Sequence, residues 1–294
     1  MGLLLASAPA LATAQSLEPR LYVPLPTGRN SLVPSYTYST GDVVVDGTLP
    51  VTGVTSTENT VTLAYIRTFG VFGRSAQIQA VTQWVSGSAD GEVGGQDSTR
   101  ELHGFADPQL RLAVNLAGGP ARRRSELAGV RFGTIVGTSL TLAPPLGHYD
   151  SERFLNVGTN RWAVKPELGI IRPLAPGWAA EGYAGVWLFG QNTDFLDSAT
   201  VSQDPLWAFQ GHLIRIFGRK GWLALDATWV YGGSTSVDGT VQNTFQSSVR
   251  LGATGGWSVG SGGTLRASFS NGVYTHLGGD YFVFSVGYGY AWGG

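Results

Sequence analysis

Asp280-Tyr281-Phe282-Val283-Phe284-Ser285-Val286-Gly287-Tyr288-Gly289-Tyr290-Ala291-Trp292 sets Phe282, Phe284, Val286, Tyr288, Tyr290 and Trp292 at every second position, with Val283, Ser285, Gly287, Gly289 and Ala291 between them. Successive side chains of a strand point to opposite faces, so this stretch is a strand with one apolar, aromatic-rich face and one face of small residues. A soluble sheet would turn the apolar face onto a core. Here the second face is small enough to look into a lumen, which is the pattern of a transmembrane barrel strand.

Composition points the same way. Charged residues make up 13% of the 294 residues, about half the usual share of a soluble domain, while mean hydropathy is only +0.04 because Gly, Ser, Thr, Asn and Gln fill the gap. No apolar run reaches the roughly 18 residues that a membrane-spanning helix needs, so the remaining membrane solution is a closed barrel, whose strands satisfy one another's backbone groups. Cysteine is absent, which excludes a disulfide scaffold and thiolate metal sites and fits passage through an oxidising periplasm. A net charge of −1 gives no general attraction for nucleic acid. Residues 1–14, with Leu3-Leu4-Leu5 and a small-x-small Ala12-Thr13-Ala14 end, read as an export signal that lacks a preceding Lys or Arg. Residues 15–29 read as a periplasmic N-terminal segment and 30–294 as the barrel.

Period-two alternation predicts an all-β fold, a single antiparallel transmembrane barrel of about 12 strands: 30–40, 58–69, 74–86, 105–117, 130–143, 160–173, 178–192, 205–217, 222–233, 243–257, 264–271 and 280–292. Connections alternate in length. Gly70–Gly73, Gly118–Gly129, Leu174–Gly177, Gly218–Gly221 and Ser258–Gly263 are short and rich in Gly or Pro, whereas those near 41–57, 87–104, 144–159, 193–204, 234–242 and 272–279 are longer and polar. Short periplasmic turns and longer extracellular loops characterise an outer-membrane barrel, with both termini periplasmic. A β-sandwich has no reason to alternate in this way.

The apolar parity of each strand is assigned to lipid, since Arg or Lys there costs about 2–4 kcal/mol at mid-membrane. This places Leu110, Leu112, Val114, Leu116, Leu223, Leu225, Leu251 and Phe269 outside. Trp84, Trp162, Trp178, Trp222, Trp229, Trp257 and Trp292 form interfacial girdles. The lumen receives a polar set: Asp107, Arg111, Arg131, Lys165, Glu167, Glu181, His212, Asp226, Arg250 and Arg266. Its charges nearly balance, which predicts pairing and weak ion selectivity. Twelve strands about 4.8 Å apart and tilted roughly 40° enclose a backbone circle about 24 Å across, leaving about 10–14 Å inside side chains.

Tests for chemistry give little. No Gly-x-Ser-x-Gly elbow is present, and His212 is the one histidine on a strand rather than in or beside a long loop. No two histidines are spaced for a metal, and Asp194, Asp197 and Asp204 in one loop read as a solvated loop ahead of a weak calcium site. Neither catalytic residues, a cofactor nor a metal is expected.

Pro144-Pro145-Leu146-Gly147-His148-Tyr149-Asp150, Asn156-Val157-Gly158-Thr159-Asn160-Arg161-Trp162, Lys165-Pro166-Glu167-Leu168-Gly169, Asn192-Thr193-Asp194-Phe195 and Asp226-Ala227-Thr228-Trp229-Val230-Tyr231-Gly232-Gly233 resemble outer-membrane proteins named for the meta-pathway of phenol degradation. The resemblance spans roughly Pro24 to Trp292. It implies a Gram-negative outer-membrane barrel that takes up small aromatic or hydrophobic compounds, without implying a phenol-degrading activity. Gly293-Gly294 after Trp292 departs from the usual terminal aromatic. The expectation is therefore a passive channel at the outer membrane with lipid and a small solute as partners, its oligomeric state left open by the sequence. The alternatives are a surface-interaction barrel with a plugged lumen and a lipid hydrolase.

Overall fold

The computed structural model describes residues 17–42, 51–93, 96–127, 130, 132–153, 156–196, 198–276 and 281–294. Its strands are β1 (Arg29–Asp42), β2 (Val51–Val71), β3 (Arg74–Val93), β4 (Gln96–Phe105), β5 (Gln109–Ala117), β6 (Ile135–Ala143), β7 (Ala163–Ala175), β8 (Trp178–Phe189), β9 (Asn192–Phe195), β10 (Ala199–Gln203), β11 (Leu206–Ile216), β12 (Gly221–Gly232), β13 (Thr235–Val237), β14 (Thr240–Val241), β15 (Gln246–Val259), β16 (Gly263–His276) and β17 (Tyr281–Gly293). The ring runs β1-β2-β3-β5-β6-β7-β8-β11-β12-β15-β16-β17 and returns to β1, antiparallel throughout. Asn30 against Trp292 and Tyr36 against Val286 close it. Among the described residues no strand of the ring is left with an open edge, which is what hydrocarbon demands of a backbone whose polar groups find no water there.

Parity falls as the alternation predicts. Leu112, Leu225, Leu251, Phe269, Phe284 and Tyr290 project outward from the wall, and the residues between them are buried or half-buried inside. Trp222 is a correction. It shares parity with Ala224 and Asp226 and turns into the lumen, lying 5.5 Å under the Arg20 guanidinium and 5.8 Å under that of Arg266, instead of joining the girdle. Its indole occupies space left by Gly256, the opposite residue on β15, where an added Cβ would meet it at 2.5 Å.

Several elements differ from the sequence reading: β2, β3 and β4 extend into the loops expected at 41–57 and 87–104. The expected strand 105–117 is broken: β4 pairs with the outer half of β3 and β5 with its inner half, with Ala106-Asp107-Pro108 between them. Proline has no N–H to give to a ladder, so the break falls there. The connection expected to be short after Gly118 runs to Thr134 and carries a helical turn, α1 (Arg124–Leu127), so the strand expected from 130 begins at Ile135. The loops at 193–204 and 234–242 hold a second sheet in the order β14-β13-β10-β9, packed on Phe195, Ala199, Val201 and Val237. The proposed signal residues 1–14 lie outside the described residues.

Lipid-facing parity carries a direct consequence. Leu112→Arg is expected to lower the unfolding free energy in phospholipid vesicles by about 2–4 kcal/mol. Urea titration of the reconstituted barrel measures it, and a change below 0.5 kcal/mol, a margin ordinary for a soluble surface, would contradict the assignment of this face.

Candidate functional site

The inward charges are unevenly distributed around the wall. Arg111 on β5, Lys165 and Glu167 on β7, Glu181 on β8, His212 on β11 and Asp226 on β12 lie in one arc, continued by Arg250 on β15 and Arg266 on β16. The opposite arc, β1, β2, β3 and β17, presents mainly Ser, Thr, Gln and small aliphatic residues, with Glu58 its one inward carboxylate among the described residues. Arg131 lies outside the described residues.

The charged arc is covered from within by the chain's own N-terminal segment. Residues 17–27 sit inside the barrel and not below it, and many of their polar groups find inward-facing partners. Glu18 makes a bidentate pair with Arg111, at 2.8 and 2.9 Å, and Arg111 also donates from Nε to Thr141 at 3.0 Å. The Arg20 N–H donates to Glu181 at 2.6 Å, the Leu21 carbonyl accepts from Gln77 at 3.0 Å, and the Tyr22 carbonyl accepts from Asn115 at 3.1 Å. Arg266 donates to the Leu17 carbonyl at 3.0 Å. Unpaired buried backbone groups are costly, so this matching of donors and acceptors explains why the segment enters.

Tyr22 is the anchor. Its ring is 2% exposed and packs edge-on to Tyr183 with centroids 5.3 Å apart. It fills a slot made by two paired glycines, Gly137 of β6 and Gly169 of β7; a Cβ on either would stand 2.2 Å from the ring. The Tyr22 hydroxyl donates to Glu167 at 3.0 Å and contacts Ser139 at 3.2 Å. Glu167 in turn holds Lys165 at 3.0 Å along the same strand face, and Lys165 lies 5.5 Å from the Trp187 ring. Lys165 and Glu167 thus pair with each other, two residues apart on one strand face, and Tyr22 completes the group.

Next to this lies a second buried group. The His212 Nδ1 is 2.7 Å from Asp226, whose other oxygen accepts from Thr254 at 2.6 Å. Among the described residues His212 Nε2 has no hydrogen-bond partner. A serine hydrolase would need a hydroxyl on that nitrogen, and none is bonded to it among the described residues. Arg250 donates to Ser270 at 2.7 Å and lies over the Tyr281 ring at 3.8 Å. Asp107 stands apart at the break between β4 and β5. It accepts from the backbone of Gly147 and from the backbone and hydroxyl of Thr159, all at 2.7–2.8 Å, and so ties down the loop before β7. Among the described residues no three His, Asp or Glu gather at metal-binding spacing, and Asp197 of the candidate calcium set lies outside them.

Burial pushes the Glu18 carboxyl up, but the guanidinium of Arg111, with Lys165 and Arg266 beyond it, overcomes this and holds the group at about 2. The segment is therefore clamped by a carboxylate that stays charged well below the usual range. Between it and the hydroxyl-lined arc remains a cavity of about 340 Å³, bordered by Leu17, Glu18, Ser35, Thr60, Gln79 and Ser268 among others. Sequence reasoning missed the inserted segment. Its traces were the paired inward glycines and the excess of charge on one arc.

Comparison with known proteins agrees with this architecture. The chain is similar to the crystal structure of an outer membrane channel from Pseudomonas putida F1, with TM-score 0.76 and 20% identity over 94% of this chain and 100% of that one. It is also similar to the beta domain of the Bordetella autotransporter BrkA, with TM-score 0.55 and 16% identity over 90% of this chain and 100% of that one. The transport unit of the Escherichia coli autotransporter AIDA-I follows, with TM-score 0.52 and 8% identity over 97% of each. No curated protein matches. These likenesses are of fold, that of a closed antiparallel β-barrel. Residues 14–291 match the model of one family, and the chain belongs to it: the family described as "Putative MetA-pathway of phenol degradation".

Proposed function

We propose that the protein is a passive outer-membrane channel for small uncharged solutes, including aromatic ones, that pass between the inserted N-terminal segment and the hydroxyl-lined arc. The observation that carries this reading is the cavity of about 340 Å³ left on that side. Its lining mixes Ser and Thr hydroxyls and Gln amides with Val33, Val81, Val85 and Val283, which suits a compact molecule with one polar edge, such as a phenol. Charges border it as nearly balanced pairs, so neither sign of ion is favoured strongly. The family description supports the aromatic class. Displacement of Tyr22 and Glu18 would widen the path, making the segment the element that sets its bore.

A plugged barrel that acts only through its loops is the second reading, favoured by the number of bonds that hold residues 17–27. Liposome swelling separates the two. Vesicles carrying the protein should admit a small neutral sugar, and a variant lacking Leu17–Leu25 should admit it severalfold faster; vesicles that stay impermeable with both proteins would refute transport.

The Tyr22 slot gives a second test. Gly137→Ala with Gly169→Ala forces two methyl groups onto the ring, and overpacking costs about 1–3 kcal/mol per site. Single-channel conductance in planar bilayers should rise to that of the segment deletion, while unheated gel mobility still reports a folded barrel. Unchanged conductance would mean that the segment does not limit flow.

The third test uses pH. A carboxyl held below its unfolded value stabilises the bound state fully above the ordinary carboxylate range and loses this as pH falls toward the bound-state value. Conductance should stay flat from pH 7 to about 5 and rise as pH falls from about 4.5 toward 2. Glu18→Gln should be open already at pH 7, since removing one member of a buried charge pair costs about 2–5 kcal/mol. A Glu18→Gln channel with the parent's conductance at pH 7 would contradict the clamp.

A further inference from the structure

The net charge of −1 hides a separation of charge along the barrel axis. The periplasmic turns carry Arg74, Arg122, Arg123, Arg124, Arg219 and Lys220, and Arg172 and Arg215 stand at strand ends beside them. Among the described residues of those turns the sole carboxylate is Glu126, which is engaged by the Arg123 N–H at 2.8 Å. The extracellular end is the reverse, with Asp90, Glu92, Asp97, Glu101, Glu152 and Asp194 against Arg100 and Arg153.

Two of these arginines face lipid. Arg172 continues the outward row of Leu168 and Ile170 on β7, and Arg215 continues that of Trp207 and Leu213 on β11. Only β8 separates them. Arg172 pairs in register with Ala180 and Arg215 with Trp178, two residues away on the same outward row. Two strand spacings and two residues along the strand place the two Cα atoms roughly 12 Å apart, so both guanidinium groups can converge on one headgroup. Arg215 is held in place: it lies 5.3 Å from the Trp178 ring and 5.9 Å from that of Phe217, and donates to the Pro176 carbonyl at 3.0 Å. Arg172 is exposed, as are Arg219 and Lys220 in the turn beyond.

Trp178, Phe217 and Trp257 mark this depth as the headgroup boundary, where amphipathic rings settle. Leu168, Ile170 and Leu213 above it offer an apolar wall for acyl chains. We infer that the outward face at the periplasmic ends of β7, β8 and β11 binds an anionic phospholipid of the inner leaflet, with Arg172 and Arg215 on its phosphate and Arg219 and Lys220 nearby. Guanidinium groups match phosphate geometry with paired donors, and the cluster's uncompensated positive charge favours a lipid with a net negative headgroup over a zwitterionic one. The inference is independent of whether the lumen conducts.

Native mass spectrometry of the full chain in detergent micelles tests it, with phosphatidylglycerol, phosphatidylcholine and inorganic phosphate as probes. Bound phosphatidylglycerol should exceed phosphatidylcholine, and Arg172→Gln with Arg215→Gln should bind it about 30-fold more weakly. Inorganic phosphate should neither bind nor compete. Equal binding of the two lipids by the unaltered protein would overturn the inference without any variant. So would unchanged binding by the double Gln variant, or by Arg172→Gln alone if the double variant does not fold, and so would displacement of the lipid by inorganic phosphate.

Discussion

Hydrocarbon offers backbone amides no hydrogen-bond partner, and this constraint governs the rest of the molecule. A strand crossing the bilayer must have two neighbours, the first strand must therefore meet the last, and the pairing of β1 with β17 satisfies that condition. Once the ring is closed, a side chain has two possible surroundings, acyl chains or the lumen. The alternation visible in Tyr281–Gly293 and in Gln109–Ala117 is the trace of that choice in the sequence.

Closure creates an interior whose polar groups still need partners, and the two arcs of the wall meet this need differently. On β1, β2 and β17 short hydroxyl side chains bond to each other, as Thr37 does to Ser285 at 3.0 Å, and a cavity remains. On β5, β7 and β8 the longer charged groups would be poorly satisfied alone. Glu18, the Arg20 amide and Tyr22 complete them, so the inserted segment and the charged wall stabilise one another. The cost of burying Arg111 or Glu167 is met by the same residues that fill this side of the lumen. Occlusion and structural integrity thus share one set of contacts.

Much of this was legible in the primary structure, for a physical reason: lipid enforces parity over a whole strand, so Leu110, Leu112 and Leu116 or Leu223 and Leu225 announce their face without knowledge of any neighbour. Parity even decides Trp222, whose aromatic character suggested a girdle while its even number aligned it with Asp226. The features that escaped prediction depend on pairs of distant residues. Gly137 and Gly169 look like ordinary strand glycines until Tyr22 is seen between them. Asp107 reads as an inward strand residue until Pro108 breaks the ladder and Thr159 claims the carboxylate. The small sheet of β9, β10, β13 and β14 is built from short polar segments, Thr235–Val237 and Thr240–Val241 among them, whose strand character comes from each other and not from lipid.

The opposite charges of the two ends also bear on biogenesis. A barrel that inserts from the periplasm must push its long loops through the hydrocarbon while its turns remain behind. Carboxylates can make that crossing as neutral acids, whereas an arginine keeps its charge throughout. Placing Asp90, Glu92 and Asp97 on the travelling end and Arg122, Arg123 and Arg124 on the stationary one lowers the barrier to threading in one direction and raises it in the other. The charge asymmetry between the two ends thus opposes threading in the reverse direction.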